Sequence, residues 1–176
     1  MRLYFALWPP GETAAALHAW AVEAQRTTGG RVTRAETIHL TLAFLGDIEL
    51  ELLSGISIKG KRHQLPIEHA ECWKHNSIVW AGPEQTPPEL LDVVVRLSEN
   101  LQERKLRVEK RPFAAHVTLI RKAGRAAALP PLPKVAWPVE EVVLVRSQLS
   151  AAGSGYEVLQ RYPLSRAKSP AGGSGG

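Results

Sequence analysis

The sequence predicts an α+β domain of two related lobes, each contributing one strand to a shared groove. Three observations lead there. Short extended segments outnumber helical ones, helices and strands alternate without the regular strand–helix rhythm of a parallel sheet, and a tetrad occurs twice, as His39-Leu40-Thr41-Leu42 and as His116-Val117-Thr118-Leu119. A chain of 176 residues is long enough for one domain with a sizeable core. Its 44% hydrophobic and 22% charged residues are ordinary for a soluble globular protein, and disorder is not expected except at the end.

The elements follow in order. Arg2 to Trp8 is aromatic and aliphatic until Pro9, Pro10 and Gly11 stop it, which reads as a buried strand. From Glu12 to Thr27, Ala15, Leu17, Trp20, Ala21 and Ala24 recur at near-helical spacing before Gly29-Gly30, which predicts a helix. Arg31 to Ala35 is expected as a short strand and Ile38 to Leu45 as a second, closed by Gly46-Asp47. Asp47 is expected to cap a helix over Ile48 to Ile58, against which Gly55 and the β-branched residues weigh. Leu65 to Trp73 alternates and Ser77 to Ala81 follows the turn-like "KHN", a predicted hairpin. Thr86-Pro87-Pro88-Glu89 reads as a helix start with Thr86 as N-cap and Pro87 at the first helical position. Leu90, Leu91, Val94, Leu97 and Leu101 then form its apolar face, to about Arg104. A strand from Ala114 to Arg121 holds the second tetrad, "ALPPLPK" is a loop, and Val139 to Leu149 and Tyr156 to Leu164 are the last strands, joined through "SAAGSG". Residues 1–166 are thus one bilobal domain, and 167–176 a flexible glycine- and serine-rich tail.

The net charge of +5 creates a field that attracts anions, nucleic acid among them. The basic residues are dispersed, and the densest group (Arg104, Lys105, Arg107, Lys110, Arg111) also fits a solvated helix end and loop. A lone cysteine, Cys72, excludes an intramolecular disulfide, fits a reducing compartment, and in its alternating segment reads as a buried structural thiol. No signal-peptide pattern opens the chain, and no apolar stretch reaches the roughly 20 residues that cross a bilayer. A cytoplasmic monomer without membrane contact is expected.

The tetrads carry the chemistry. In a strand, residues i and i+2 share a face, so His39 and Thr41 point one way while Leu40 and Leu42 pack behind them, and His116 and Thr118 repeat the arrangement. Two imidazoles that titrate near neutrality can supply one proton acceptor and one proton donor. In-line displacement at phosphorus needs both, together with fixed donors for the equatorial oxygens, which two threonine hydroxyls can provide.

The paired H-x-T-x motifs, "HLTLAFLG" from His39 and "RPFAAHVTLIRK" from Arg111 to Lys122, resemble the two-histidine phosphoesterase superfamily, in particular its RNA 2′,3′-cyclic phosphodiesterases, also called 2′-5′ RNA ligases. The resemblance runs from "RLYFALWPP" through "ECWKHNSIVWAG" to the last hairpin. It implies the α+β bilobal fold of that superfamily, two pseudo-symmetric lobes with antiparallel sheets lining a central groove and helices outside, and a metal-independent enzyme that opens a terminal 2′,3′-cyclic phosphate of RNA to a 2′-phosphate. The reverse reaction would join tRNA halves through a 2′-5′ bond. It implies His39 as the acid that protonates the departing 3′-oxygen and His116 as the base that activates water, although on sequence grounds the two are interchangeable. Thr41, Thr118 and Arg121 would hold the phosphate, and Phe44 would stack on the terminal base. Strict alternation puts Arg121 opposite His116 and Phe44 opposite Thr41, so both reach the groove only where a strand bends; a surface arginine and a core phenylalanine are the alternatives. The chain departs from many relatives in carrying Ala114 and Ala115 where a proline, often with a further histidine, precedes the second catalytic histidine. That removes one potential phosphate or ribose contact.

His18, His63, His69 and His75 show no metal-ligand spacing, and no H-E-x-x-H, C-x-x-C or P-loop pattern occurs, so neither metal nor cofactor is expected. Two other readings stay open. One is a phosphodiesterase of the same mechanistic group acting on a small cyclic nucleotide, an ADP-ribose cyclic phosphate or 2′-5′ oligoadenylate. The other is an RNA-end-binding module without turnover.

Overall fold

The structure is a computed structural model and describes residues 1–124 and 128–166. Its strands are β1 (Arg2–Leu7), β2 (Arg31–Val32), β3 (Leu40–Asp47), β4 (His63–Gln64), β5 (His69–Trp73), β6 (Ile78–Gly82), β7 (Val117–Arg121), β8 (Pro138–Val139), β9 (Glu141–Ser150) and β10 (Gly153–Pro163). The helices are α1 (Gly11–Thr28) and α2 (Pro88–Glu103). One antiparallel sheet has the order β10-β9-β1-β3, the other β2-β7-β6-β5, and β4 with β8 forms a small ribbon. Each four-stranded sheet therefore contains one tetrad strand, β3 or β7. The lobes are not successive halves of the chain, because the first sheet draws strands from both chain ends and the second from the middle.

The helices cross over in the same way. α1 leaves the first sheet yet lies against β2 and β7, and α2 leaves the second yet lies against β3. On α1 the buried face is Leu17, Trp20, Ala21 and Ala24, whose small members let the helix sit close to the strands. One cluster of buried side chains, including Phe5, Leu17, Leu40, Leu42, Leu97, Leu119 and Trp137, runs through both lobes. At roughly 1.5–3 kcal/mol for each large apolar side chain, this burial is what fastens the lobes together. A second, smaller cluster of Tyr4, Ala6, Val143 and Val145, with Trp8 packed against it, lies on the other face of β1.

Several expectations are corrected. No helix covers Ile48 to Ile58: β3 runs on to Asp47, and only a 3-10 turn forms at Leu50–Leu53. Gly55 has φ 71°, which breaks any helix there, and the Asp47 carboxylate pairs with the Met1 amino group instead of capping. α2 starts one residue later than expected, with Pro87 as N-cap and Pro88 first in the helix. Pro88 forces the residue before it out of the helical region, and Pro87 accordingly has ψ 139°. The helix buries Leu90, Val93, Leu97 and Leu101 and leaves Leu91 42% exposed. The strand expected over Arg31 to Ala35 ends at Val32 and gives way to a 3-10 turn at Ala35–Thr37. The hairpin strand begins at His69, although Leu65 and Ile67 before it are buried. Cys72 is a free thiol, half-buried in β5. The expected tail at 167–176 lies outside the described residues. Among those described, no helix is long and apolar enough to cross a membrane.

Candidate active site

Both histidines stand one residue before their strands, His39 before β3 and His116 before β7. His39 Nδ1 lies 2.7 Å from the carbonyl oxygen of Thr37, and His116 Nδ1 2.8 Å from that of Ala114. A carbonyl only accepts, so each ring carries its proton on Nδ1 and donates it to the backbone two residues earlier. Nε2 is left for chemistry in both. The 3-10 turn at Ala35–Thr37 supplies the first carbonyl. For the second, β6 closes on the segment ahead of β7 so tightly that a Cβ at Gly82 would stand 2.4 Å from the Ala115 oxygen, and only glycine fits.

The two strands then share a defect. Phe5 pairs with Ala43 but Ala6 with Thr41, so Leu42 is an extra residue in β3. Val79 pairs with Ile120 but Trp80 with Thr118, so Leu119 is an extra residue in β7. Each bulge falls three residues after its histidine, and each inverts the alternation beyond it. Tyr4 and Ala6 share a face and pair with Phe44 and Thr41, which puts Phe44 on the side of Thr41. By the same parity Arg121 comes to the side of His116 and Thr118. Phe44 is 48% exposed, with the Arg2 guanidinium 5.2 Å from its ring centre, and takes no part in the core.

The groove has two arms. One, of about 320 Å³, is lined by His39, Thr41, Phe44, Arg121, Tyr4 and Tyr156, with Ser147, Gln148 and Ser154 further out. The other, of about 680 Å³, holds His116, Trp73, His75, Phe113, Arg107 and Arg111 and again reaches Thr41 and Phe44. Thr41 and Phe44 therefore stand where the arms meet. Thr118, two residues after His116, is half-buried and lines neither arm, and its carbonyl accepts a bond from the Thr33 hydroxyl at 3.1 Å.

The two imidazoles differ in surroundings. His39 packs among Trp8, Tyr4 and Tyr156. Burial pushes its pKa below the usual imidazole value, the Thr37 carbonyl opposes this, and the charges of Arg121 and His116 add to the lowering. His116 meets Trp73 at 4.9 Å and Trp80 at 6.3 Å between ring centres. None of these five aromatic residues was singled out from sequence. Tyr4 and Trp8 share the face of a period-two strand, a signal that was present; Tyr156 arrives only through the β9–β10 pairing. Of the basic group, Arg104 is structural, donating to the carbonyls of Leu52 and Ser54, whereas Arg107 and Arg111 border the groove. Of the other histidines, His75 lines the larger arm and His69 packs edge-on to Trp80. Among the described residues, no group of three or more His, Cys, Asp or Glu side chains is placed to hold a metal.

A family model described as LigT-like phosphoesterase matches residues 7–80. The RNA 2′,3′-cyclic phosphodiesterase of Escherichia coli (strain K12) is 30% identical over 172 residues, which are 94% of this chain and 97% of that one. The chain belongs to the LigT-like phosphoesterase family. A second member, the RNA 2′,3′-cyclic phosphodiesterase of Thermus thermophilus, is 30% identical over 93% of this chain and 90% of its own. The fold agrees: E. coli LigT in its apo form superposes with a TM-score of 0.86 at 30% identity, covering 93% of this chain and 96% of that one. E. coli LigT complexed with 3′-AMP gives 0.83 at 29% identity, over 93% and 97%. The bilobal α+β architecture is that of the LigT-like phosphoesterases.

Proposed function

We propose that this LigT-like phosphoesterase is an RNA 2′,3′-cyclic phosphodiesterase, and that His39 and His116 are its proton-transfer groups. The observation that carries the reading is the paired geometry, two imidazoles with Nδ1 tied to a backbone carbonyl and Nε2 free, each just ahead of an equivalently bulged strand and one in each of the two arms that meet at Thr41. Membership of a family with curated cyclic phosphodiesterases supports it.

The cyclic phosphate sits where the arms meet, its oxygens held by the Thr41 and Thr118 hydroxyls and the Arg121 guanidinium. Each such hydrogen bond to a charged group contributes about 1.5–3 kcal/mol. His116 Nε2 takes a proton from water as the water oxygen bonds to phosphorus. The bond from phosphorus to the 3′-oxygen breaks on the opposite side, and His39 Nε2–H protonates that oxygen, leaving a 2′-phosphate. An imidazole held toward neutrality by burial is the stronger acid once the bound anion has drawn a proton onto it. With the 5′-hydroxyl of a second RNA in place of water as the nucleophile, the same groups would form a 2′-5′ bond as the 3′-oxygen departs. Phe44 offers a stacking face to the terminal base. The larger arm, with Trp73 and two arginines, favours an oligoribonucleotide over a mononucleotide.

The test is phosphorus NMR of products from 2′,3′-cyclic CMP and a short cyclic-phosphate RNA, each incubated with the protein in EDTA. A 2′-phosphate from both, with faster turnover of the RNA, is the expected result. A 3′-phosphate reverses the orientation of the ring, and no product from either compound defeats the reading. His39→Ala and His116→Ala are each expected to lower kcat by about 10²–10⁴-fold in the same assay; an active variant removes that residue from the mechanism.

A further inference from the structure

Three aromatic rings enclose the imidazole of His39. The Trp8 indole is stacked on it, 4.9 Å between ring centres and 8° from parallel. Tyr4 lies 5.2 Å away at 32° and Tyr156 5.6 Å away at 57°, and Tyr156 also meets both Tyr4 and Trp8 edge-on. Among the described residues, the one hydrogen bond to this imidazole is that of Nδ1, which leaves the ring free to swing about the Nδ1 contact unless something fixes its plane. Trp8 also borders a separate cavity of about 650 Å³, with Arg62, Trp137 and Arg161 among its lining, which His39 does not reach.

We propose that Trp8 is a positioning residue for the proton transfer by His39: its indole fixes the plane of the imidazole, aiming Nε2 at the departing oxygen, and walls the ring off from the cavity beyond. The role suits an indole, which offers a large flat face, and the two prolines that follow it, Pro9 and Pro10, restrict the backbone there. A near-parallel stack tolerates sliding but resists tilting, so it constrains the one motion that would misdirect Nε2. His116, in contrast, meets Trp73 and Trp80 at 58° and 79°, with no parallel partner among the described residues. The inference rests on the proposed catalytic part of His39.

The experiment compares Trp8→Ala and Trp8→Phe by steady-state kinetics on a cyclic-phosphate RNA and by NMR titration of the His39 and His116 Cε1 protons in the ligand-free protein. For Trp8→Ala, kcat is expected to fall about 10- to 100-fold with KM little changed, as for a misaimed group rather than a lost contact. The His39 titration should move to higher pH as water reaches the ring, that of His116 should stay in place, and Trp8→Phe should recover most of both effects. Wild-type kcat together with an unmoved His39 titration in Trp8→Ala overturns the inference. So does displacement of both histidine titrations in both variants, which marks a general loss of structure. If the wild-type protein turns over no cyclic phosphate, the function fails while the NMR comparison still decides whether Trp8 governs the environment of His39.

Discussion

At the scale of single residues, Arg121 is where the proposed phosphate binding and the proposed proton transfer would meet. It lies in the same arm as His39, and its charge contributes to holding that imidazole below its usual pKa, after burial. Replacing it with the neutral glutamine removes a like charge, so Arg121→Gln should raise the His39 titration midpoint in the free protein. The phosphate meanwhile loses its cation, and kcat/KM should fall by about one to two orders of magnitude, corresponding to about 1.5–3 kcal/mol. NMR titration reads the first effect and initial rates the second; a midpoint that stays or moves down would separate Arg121 from His39. In the proposed role of acid His39 has to be protonated, so kcat/KM should decline as pH rises through its lowered pKa, and in Arg121→Gln that decline should begin at higher pH.

At the scale of elements, the site depends on places where backbones come too close for side chains. Gly82→Ala would set a Cβ 2.4 Å from the Ala115 oxygen, so the segment that delivers His116 has to move. A cost of about 1–3 kcal/mol is expected, visible as a lower urea midpoint, with a drop in kcat that outlasts correction for the folded fraction. An unchanged midpoint and rate would show that β6 yields instead. The bulges at Leu42 and Leu119 act at the same scale. Without them, Phe44 and Arg121 would face the core, where a guanidinium has no partner and burial would be costly.

For the whole molecule, the excess positive charge and the two arginines on the larger arm set an expectation about substrate length. Raising salt from 50 to 200 mM should increase KM for an oligoribonucleotide more steeply than for 2′,3′-cyclic CMP, because the longer chain brings more phosphates into the field. Parallel slopes in the two kinetic series would confine recognition to the terminal nucleotide. The lobes bear on this, since the larger arm is bounded by β3 of one, the β5–β6 hairpin of the other, and α2.

What the sequence determined by itself was the local and the periodic. The α+β class, both helices, the tetrad strands and the pairing of each histidine with a threonine on one face all follow from spacing, because side-chain direction in a regular element repeats with a fixed period. A duplicated motif was also enough to bring out His39, Thr41, His116 and Thr118 as candidates. Tertiary structure decided whatever depended on a partner strand. A bulge is a mismatch between two strands and leaves no mark in the alternation of one, so the side on which Phe44 and Arg121 lie could not be read in advance. Pairing across distant segments also carries Tyr156 to His39, interleaves the lobes and lays each helix against the opposite sheet. The helix expected after Asp47 fails for a related reason: Leu53, Ile56 and Ile58 are buried against the shared core without helical geometry, and tertiary burial outweighs a weak local preference.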